Sequence, residues 1–368
     1  MHPLLTPLSA SLPATVPFVG PEAQERARAR PFAARLGANE CGFGPSPLAI
    51  AGMQRAAGDV WMYGDPEMHD LRAALAAHHG VTPAHIIIGE GIDGLLGNLV
   101  RLTMVPGDTA VTSDGAYPTF GFHVAGFGGR LVKVPYHGDH EDPGALLDAA
   151  ARNPAKLLYL ANPDNPMGSH HPAATVEALV AALPAGALLV LDEAYIDLAP
   201  PGTAPAIAAD NPQVIRLRTF SKAHGLAGLR VGYAIAAPPL VAAFDRVRNH
   251  FGVGRMAQAG ALAALHDADW LAEVTRRVAE GRARIAGIAA DAGLVALPSA
   301  TNFVTLETGK DGLFARALLQ ALLERDIFVR MPGVVPLDRC IRVSVGPPEA
   351  LDIFEAALRD AVRAASGG

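Results

Sequence analysis

The sequence is poor in several features, and each shortage excludes a class of protein. Only two cysteines, Cys41 and Cys340, occur in 368 residues, too few for a disulfide framework or a cysteine-based metal centre. The net charge is −6, so the chain offers no general attraction for nucleic acids or anionic membranes. No stretch is long and apolar enough to span a bilayer, and the apolar start lacks the basic segment of a secretion signal. We therefore expect a soluble cytoplasmic protein with no metal, nucleic-acid or membrane partner.

The abundant feature is apolar residues, which make up 50% of the chain and suffice for a large core and two domains. From about residue 47 to residue 245, short apolar runs alternate with amphipathic helical stretches, a pattern typical of an α/β sheet. The predicted helices there include 68–79, 92–103 and 172–183. The predicted strands are 85–89, 109–113, 130–134, 156–161, 187–192, 214–219 and 230–235.

The final third of the chain has a different pattern, in which long helical stretches are separated by short strands. The predicted helices are 257–265, 270–291 and 313–325, and the predicted strands are 302–305, 327–330 and 340–345. Chain termini often pack near each other. We therefore predict a large α/β domain over 47–245 and a smaller α+β domain over 246–368, which the N-terminal arm, 1–46, partly joins.

A glycine-rich turn follows the first predicted strand, where Gly89, Gly91 and Gly94 stand in the spacing G-x-G-x-x-G. Glycines let backbone N–H groups approach a phosphate, and the start of the next helix favours negative charge. Asp114 follows about 20 residues on, at the end of the next strand, as in a dinucleotide site. The turn alone leaves three interpretations open: a phosphate cradle, a dinucleotide site, or a turn without a ligand.

Polar side chains end two further strands. Asn162 and Asn165, each followed by a proline that stiffens the turn, come after the strand 156–161. Such an amide can donate to a ligand oxygen, although the segment alone predicts an ordinary turn. Asp192 ends the next strand, where a buried carboxylate is costly unless a cation pairs with it. A protonated pyridine nitrogen is such a cation; a Walker-type metal acid is the alternative, but the sequence has no Walker A motif.

The most informative segment follows the strand 214–219. Lysine amines form Schiff bases with carbonyl cofactors when the site lowers the amine pKa, and Lys222 lies directly after this strand. Thr219, Ser221 and Arg230 supply hydroxyls and a fixed cation suited to a phosphate. A lone lysine in a loop is usually solvated, but a lysine beside residues suited to a phosphate strongly indicates a cofactor-binding lysine.

Together, these segments predict a pyridoxal phosphate site. Such a site requires a lysine, an acid for the ring nitrogen, donors for the ring hydroxyl and a phosphate cradle. All four occur at successive strand ends, where open parallel sheets bind ligands. A dehydrogenase would use the glycine turn but would leave Asp192 and Lys222 without a role.

The sequence also resembles the fold-type-I aminotransferases, most closely the histidinol-phosphate aminotransferase branch, over about residues 36–347. The segment around the lysine, 221–230, is the most specific match. The other matching stretches are 36–40, 44–47, 63–66, 71–72, 162–166, 192–195, 298–303, 329–330 and 341–343. The resemblance implies a large domain with a mostly parallel seven-stranded sheet and a smaller C-terminal α+β domain.

The resemblance assigns roles around the cofactor. Lys222 would form the Schiff base with pyridoxal phosphate and move the proton during the reaction. Asp192 would pair with the pyridinium nitrogen, and Asn165 and Tyr195 would hydrogen-bond the ring hydroxyl. The phosphate would be held by Gly91, Ile92, Asp93, Thr219, Ser221 and Arg230.

The resemblance also assigns residues to the ring face, the substrate and the partner subunit. Phe120 aligns best with the aromatic that stacks on the ring, with Tyr117 as the alternative. Tyr63 would reach the phosphate in the neighbouring subunit, which implies a homodimer. The implied substrate-binding residues are Arg342 for an acid group, Arg330 for a distal anion, and Asn39.

Three departures from the family pattern bear on cofactor and substrate. The phosphate turn reads Ile-Asp-Gly over 92–94 where the family has Ser-Asp-Glu, and Met167 replaces the usual threonine. The usual Pro-Tyr-Asn stretch reads Arg-Asn-His-Phe-Gly over 248–252, so Arg248 and His250 become candidate substrate-binding residues. The acidic segment 139–142 is expected to be a solvated loop.

The first functional hypothesis is an aminotransferase that moves an amino group from a donor such as glutamate to a 2-oxo acid or a phosphorylated ketone. A decarboxylase of a phosphorylated amino acid would keep the cofactor and break a different bond at Cα. A nicotinamide-binding oxidoreductase would use the glycine turn and would not depend on Lys222. A non-catalytic descendant is disfavoured because the cofactor set is complete.

Overall fold

The computed structural model of the chain describes residues 4–14 and 19–367. Residues 1–3 and 15–18 of the predicted N-terminal arm lie outside this part. Within the arm, Pro7–Ser11 forms helix α1 and Pro21–Arg28 forms helix α2. In the described ranges, no helix is both long and apolar enough to cross a bilayer.

Seven strands form one large, mostly parallel sheet. The strands of the chain are β1 (Ala34–Arg35), β2 (Ile86–Gly89), β3 (Thr109–Ser113), β4 (Arg130–Val134), β5 (Leu157–Ala161), β6 (Leu188–Asp192), β7 (Val214–Thr219), β8 (Gly232–Ala236), β9 (Val295–Ala296), β10 (Phe303–Glu307), β11 (Ile327–Phe328) and β12 (Cys340–Ser344). The large sheet has the order β2-β8-β7-β6-β5-β3-β4. Only β8 runs against its neighbours, so the predicted seven-stranded α/β fold is confirmed.

Helices cover the sheets. Each predicted helical stretch forms a helix whose ends lie within two residues of the predicted ones, but the long helix over Pro348–Ser366 was not predicted. The remaining helices are α3 (Pro47–Ala57), α4 (His69–His79), α5 (Gly91–Thr103), α6 (Thr119–Gly126), α7 (Pro143–Arg152), α8 (Ala173–Ala181), α9 (Pro238–Ala243), α10 (Arg255–Leu265), α11 (Ala268–Asp291), α12 (Gly312–Glu324) and α13 (Pro348–Ser366). Serine or aspartate side chains cap α3, α7, α11 and α12 at their starts, which satisfies backbone N–H groups that would otherwise lack partners.

The residues of the central strands alternate between two helical layers. Tyr159 and Val190 pack towards α5 and α6, whereas Leu158 and Leu189 pack towards α7 and α8. A strand that is covered on both faces carries apolar residues along its whole length, which explains the continuous apolar runs in the sequence. Asp192 stands two residues after Val190 and therefore points to the α5 side of the sheet.

A smaller region forms around a second sheet, in which β10 pairs antiparallel with β12 and β9. Helices α11, α12 and α13 cover it, and β1 pairs in parallel with β11, so the N-terminal segment joins this region. Helix α10 instead packs on α3 and α4 through Ala257, Ala261 and Ala264. We therefore propose that the large region extends through Leu265, beyond the predicted boundary at residue 245.

Candidate active site

A cavity of about 570 Å³ lies beyond the carboxyl ends of β5, β6 and β7. Open α/β sheets bind ligands at this edge because their loops diverge there. Residues of the smaller region also line the cavity, which therefore lies between the two regions. The predicted residues that line it are Asn39, Ile92, Asp93, Asn165, Asp192, Tyr195, Thr219, Ser221, Lys222, Arg230, Arg330 and Arg342.

Lys222 reaches the cavity from the loop that follows β7. The Thr219 hydroxyl oxygen at the end of that strand accepts a hydrogen bond from the Ser221 backbone N–H at 3.0 Å, which fixes the turn. The Lys222 Nζ donates to the Asn39 carbonyl oxygen at 3.1 Å. Burial, and next the charge of Arg342, lowers the pKa of Lys222 to about 8. A fraction of the amine is therefore neutral, and hence nucleophilic, near neutral pH.

Asp192 ends β6 and is 6% exposed. Its carboxylate accepts hydrogen bonds from the Tyr159 hydroxyl at 2.6 Å and the Ala194 backbone N–H at 2.9 Å. Burial raises the pKa of Asp192 in spite of these two donors. Because both donors are neutral, the carboxylate suits a ligand that brings its own positive charge. Sequence reasoning missed Tyr159, whose polar tip in an otherwise apolar strand was the available signal.

The start of α5 and the side chain of Arg230 together form an anion-binding site. Gly91 begins α5 with a φ of 74°, in the left-handed region that favours glycine. A Cβ at Gly91 would lie 2.4 Å from a guanidinium nitrogen of Arg230, so glycine lets that side chain rest on the helix start. Arg230 Nη1 also donates to the Ser221 hydroxyl oxygen at 3.3 Å. A helix N-terminus, a hydroxyl and a fixed guanidinium suit a phosphate group.

Asp93 lines the cavity but brings a negative charge near the anion-binding site. Its carboxylate contacts the Nε2 of His123 at 2.7 Å, and this hydrogen bond lowers the pKa of Asp93. The His123 ring can pack closely against α5 because residue 97 is a glycine. A Cβ at Gly97 would lie only 2.9 Å from the ring. Sequence reasoning missed His123, since it stands 30 residues from Asp93 and no local pattern joins them.

Asn165 and two arginines line the cavity together. Arg342 Nη1 donates to the Asn165 Oδ1, and Arg342 Nη2 donates to the Gly37 carbonyl oxygen at 3.3 Å. Because the amide oxygen of Asn165 faces Arg342, its NH₂ group is the end that can donate to a ligand. Arg330 pairs with Arg342 through a backbone bridge and donates to the Val19 carbonyl oxygen at 2.7 Å. Two adjacent arginines suit anionic ligand groups.

The structure corrects the choice of aromatic residue for the cofactor ring. Phe120 is 1% exposed and stacks on Tyr159, with ring centres 4.9 Å apart and planes at 16°. A ring packed in this way does not face the cavity. Tyr117, the alternative, lines the cavity, so the geometry favours Tyr117 for the stacking contact.

Besides Phe120, the predicted site residues Tyr63, Arg248 and His250 lie outside the cavity of their own chain. Tyr63 is 77% exposed and its ring centre lies 4.7 Å from that of Phe251. Arg248 is held by the Asp245 carboxylate and a backbone carbonyl oxygen, and His250 is exposed. The single chain therefore gives no support for substrate contacts by Arg248 and His250. A role for any of the three would require a second subunit.

The acidic segment 139–142 is not the solvated loop that the sequence predicted. Glu141 is 1% exposed and accepts hydrogen bonds from the Ser113 hydroxyl at 2.6 Å and a backbone N–H at 3.1 Å. Besides burial, the charge of the nearby Asp164 raises the pKa of Glu141, and Asp164 itself accepts from the Tyr136 hydroxyl at 2.9 Å. Burial raises the pKa of both acids, that of Asp164 to about 7. Two buried carboxyl groups in contact share a proton, and only the fold brings these two together.

The sheet topology overturns the dinucleotide interpretation of the glycine turn. A dinucleotide site needs adjacent parallel strands joined by the helix that follows the turn. Strand β2 instead lies at the sheet edge and pairs antiparallel with β8, while β3 lies between β5 and β4. Asp114, the candidate ribose ligand, forms an ion pair with Lys133 at 3.1 Å.

The cavity fits the three chemical parts of pyridoxal phosphate. Lys222 has the lowered pKa that reaction with an aldehyde requires. The anion-binding site at Gly91 and Arg230 suits the phosphate. The Asp192 carboxylate, buried beside neutral donors, suits a protonated ring nitrogen.

Comparisons with known proteins point to the same chemistry. The family model for aminotransferase class I and II matches residues 34–358. The chain is similar to a crystal structure of histidinol-phosphate aminotransferase from Sinorhizobium meliloti in complex with pyridoxal-5'-phosphate, with 55% identity, a TM-score of 0.96, and coverage of 99% of this chain and 98% of that chain. It is also similar to histidinol-phosphate aminotransferases from Anaeromyxobacter sp. (37% identical, covering 94% of this chain and 95% of the relative) and Moorella thermoacetica (34% identical, covering 89% and 84%).

Proposed function

We propose that this chain, which belongs to the class I and II aminotransferases, uses histidinol phosphate and glutamate as its amine substrates. The chain is a pyridoxal-phosphate-dependent enzyme that transfers amino groups. The names of its relatives suggest the substrate pair. The observation that carries the proposal is that Arg330 and Arg342 line the same cavity as Lys222.

Each cavity residue then has a task in the reaction. Bound pyridoxal phosphate withdraws electrons from the substrate Cα and makes its proton acidic. The Lys222 Nζ would hold and move that proton. Asp192 would keep the ring nitrogen protonated, and the Tyr195 hydroxyl and the Asn165 NH₂ group would donate to the ring hydroxyl oxygen. The residues that would hold the phosphate are Gly91, Ile92, Asp93, Thr219, Ser221 and Arg230.

Each of the two substrates has an anionic group at a distance from its amine. One pair of arginines can therefore bind both substrates. Glutamate has two carboxylates, and histidinol phosphate has a phosphate group. Arg342, held by Asn165 and the Gly37 carbonyl oxygen, presents a fixed guanidinium to either anion. Arg330 exchanges its bond with the Val19 carbonyl oxygen for a second anionic contact.

The first experiment is an absorbance spectrum of the purified holoenzyme before and after addition of glutamate, with Lys222→Ala alongside. A yellow band that glutamate bleaches, and that the variant lacks, is the expected result. A protein that pyridoxal phosphate cannot colour would overturn the proposal. A yellow band that glutamate fails to bleach, together with release of carbon dioxide from a phosphorylated amino acid, would favour the decarboxylase.

The second experiment tests the substrate by single-turnover bleaching with histidinol phosphate and with histidinol. Histidinol phosphate should react faster because only it has an anion for the arginines. Arg330→Met should weaken the apparent affinity for histidinol phosphate by about tenfold, the worth of one charge-assisted hydrogen bond. Arg316→Met, on an exposed helix face with an ion pair to Asp338, is the matched control. Equal rates for the two amines would contradict the substrate assignment.

A homodimer is part of the proposal, because the aromatic side chains around Tyr63 are exposed to solvent in the single chain. Trp61 is 80% exposed, Tyr63 is 77% exposed and Phe251 is 49% exposed. Exposed aromatic clusters of this kind mark interaction sites. A second copy of the chain would bury this patch and bring Tyr63 to the partner's phosphate site.

Hybrid dimers test this arrangement directly. Lys222→Ala lacks the amine but keeps Tyr63, whereas Tyr63→Ala keeps the amine. If the sites are shared, mixed and refolded chains regain activity at limiting cofactor, since each hybrid has one complete site. No recovery, or a monomer by analytical ultracentrifugation, would contradict the dimer.

A cytoplasmic location is also proposed, and the two cysteines support it. Cys41 and Cys340 are free thiols, and burial raises the pKa of each. Protonated, buried thiols react slowly with oxidants. Cell fractionation is the test, and recovery of the protein outside the cytoplasm would contradict the proposal.

A further inference from the structure

Asn39 is the centre of a buried hydrogen-bond network that joins the small sheet to the cavity. It is 2% exposed, and its φ of 55° places it in the left-handed region. Its backbone N–H donates to the Ser344 hydroxyl oxygen at 3.0 Å, and that hydroxyl donates to the Asn39 Oδ1 at 3.0 Å. The Asn39 Nδ2 donates to the Tyr195 hydroxyl oxygen at 3.0 Å.

The partners of these groups favour one direction for the series of bonds, because the Asn39 Oδ1 is the acceptor that the structure gives the Ser344 proton. A backbone N–H can only donate, so the Ser344 oxygen accepts there and its own proton is available to the Asn39 Oδ1. The amide oxygen is thereby held towards Ser344, and the NH₂ group faces Tyr195. The Tyr195 oxygen accepts from this NH₂ group, and the tyrosine proton is left to donate into the cavity.

We propose that Ser344 is a positioning residue: its hydroxyl sets which end of the Asn39 amide faces Tyr195, and so directs the Tyr195 proton to the ring hydroxyl oxygen of pyridoxal phosphate. This inference rests on the proposed role of Tyr195. Without the Ser344 hydroxyl, the amide turns over, because its oxygen then accepts the Tyr195 proton. The ring oxygen loses a donor.

The backbone of Asn39 has an independent anchor, so loss of one hydroxyl acts on the amide and not on the loop. Asn302 Nδ2 donates to the Asn39 carbonyl oxygen at 3.0 Å and to the Glu40 carbonyl oxygen at 3.3 Å. Tyr195 is a dependable donor, since burial raises the pKa of its hydroxyl. Ser344 itself is 3% exposed at the end of β12, so its hydroxyl is shielded from bulk solvent.

The test is a pH titration of the visible absorbance of the holoenzyme. A ring oxygen that has lost a donor holds the proton it shares with the Lys222 nitrogen more tightly, so the midpoint should rise. Ser344→Ala should raise it by about one pH unit, a tenfold change in the proton equilibrium. Ser344→Thr should restore the wild-type midpoint, and Ser344→Cys, a near-isosteric but weak donor, should give an intermediate value.

Two further variants separate this relay from a general structural effect. Tyr195→Phe should raise the midpoint at least as far as Ser344→Ala, and the double variant should rise no further than Tyr195→Phe alone. Thr308→Val is the matched control: its buried hydroxyl donates to the Arg339 carbonyl oxygen at 2.7 Å in the same region, without a link to Asn39. Its midpoint should not move.

The outcomes distinguish the relay from the proposed function. An unchanged midpoint in Ser344→Ala, with a raised one in Tyr195→Phe, would overturn the relay and leave the site intact. Full addition of the two shifts would also overturn it, because Ser344 would then act by another route. An unchanged midpoint in Tyr195→Phe would overturn both the relay and the role of Tyr195.

Discussion

Two neighbouring acids at the end of β6 lie on opposite faces of the sheet and are stabilised in different ways. Glu193 is 1% exposed and forms ion pairs with Arg216 and Arg218, each at 2.8 Å. Asp192 is also buried, but the Tyr159 hydroxyl and a backbone N–H are its donors. The protein supplies the countercharge of Glu193 itself, whereas the donors of Asp192 are neutral, and under the proposed function the cofactor supplies its countercharge.

The difference separates a residue that holds the fold from one that holds the ligand. A buried carboxylate paired within the protein costs stability when one partner is removed. A buried carboxylate whose hydrogen-bond donors are both neutral already costs stability in the apoenzyme, and a cationic ligand relieves that cost. Adjacent positions in one motif can therefore respond in opposite ways to the same chemical change.

The largest expected effect follows from Asp192→Asn. A neutral amide cannot keep the ring nitrogen protonated, so kcat/KM should fall by about 10²- to 10⁴-fold. The apoenzyme should unfold at the same temperature as wild type or a higher one, because burial of the Asp192 charge, which raises its pKa, is no longer required. Steady-state kinetics and a thermal scan of the apoenzyme check both parts. A clear loss of apoenzyme stability would contradict the comparison.

Glu193→Gln should produce the opposite pattern. The variant leaves Arg216 and Arg218 without a countercharge, and the free energy of unfolding should fall by about 3 kcal/mol. Activity per folded molecule should change little, since Glu193 points away from the cavity. Urea unfolding with a parallel assay measures both. Glu273→Gln, which breaks ion pairs on an exposed helix, is the control and should have no measurable effect on stability.

The pH dependence of cofactor association tests the role of Lys222, which lines the same cavity as Asp192. Lys222 must be neutral to attack the cofactor aldehyde, and burial lowers its pKa to about 8. The association rate should therefore rise about tenfold per pH unit below this value and level off above it. Stopped-flow mixing of apoenzyme with pyridoxal phosphate gives the profile. Pyridoxamine phosphate, which cannot react with the amine, is the control, and an identical profile for both compounds would contradict the role of Lys222.

The smallest expected effect concerns the carboxyl pair of Glu141 and Asp164. Burial raises the pKa of Asp164 to about 7, so the folded chain keeps a proton that the unfolded chain releases, and stability falls as pH rises towards 7. Asp164→Asn replaces the shared proton with an amide donor. Between about pH 5 and about pH 7, the free energy of unfolding of the variant should fall by about 1 kcal/mol less than that of wild type. Urea unfolding of the apoenzyme at both pH values measures this, and equal losses would contradict a shared proton.

The fold was largely predictable because its signals are local. Buried parallel strands such as β5 and β6 carry continuous apolar runs, and polar residues stand where those runs stop. The lysine segment and Asp192 were found in this way, since strand ends of a parallel sheet meet at one edge.

Other parts of the site escaped sequence reasoning because they join distant segments. His123 meets Asp93 only after α6 packs on α5, and Ser344 meets Asn39 across 305 residues. Glu141 sits in an acidic segment that reads as solvated, yet it turns inward to Ser113 and Asp164. None of these contacts leaves a periodic or spaced pattern.

The sequence by itself determined the order of most strands and helices and the cofactor class, and it singled out the lysine, because periodicity and strand-end chemistry are properties of neighbouring residues. The tertiary structure decided which side chains face the cavity. Phe120 turned into the core while Tyr117 lined the cavity, and the glycine turn followed an edge strand whose pairing does not suit a dinucleotide site. Side-chain direction and strand pairing depend on packing between segments far apart in the chain, and that information is not local.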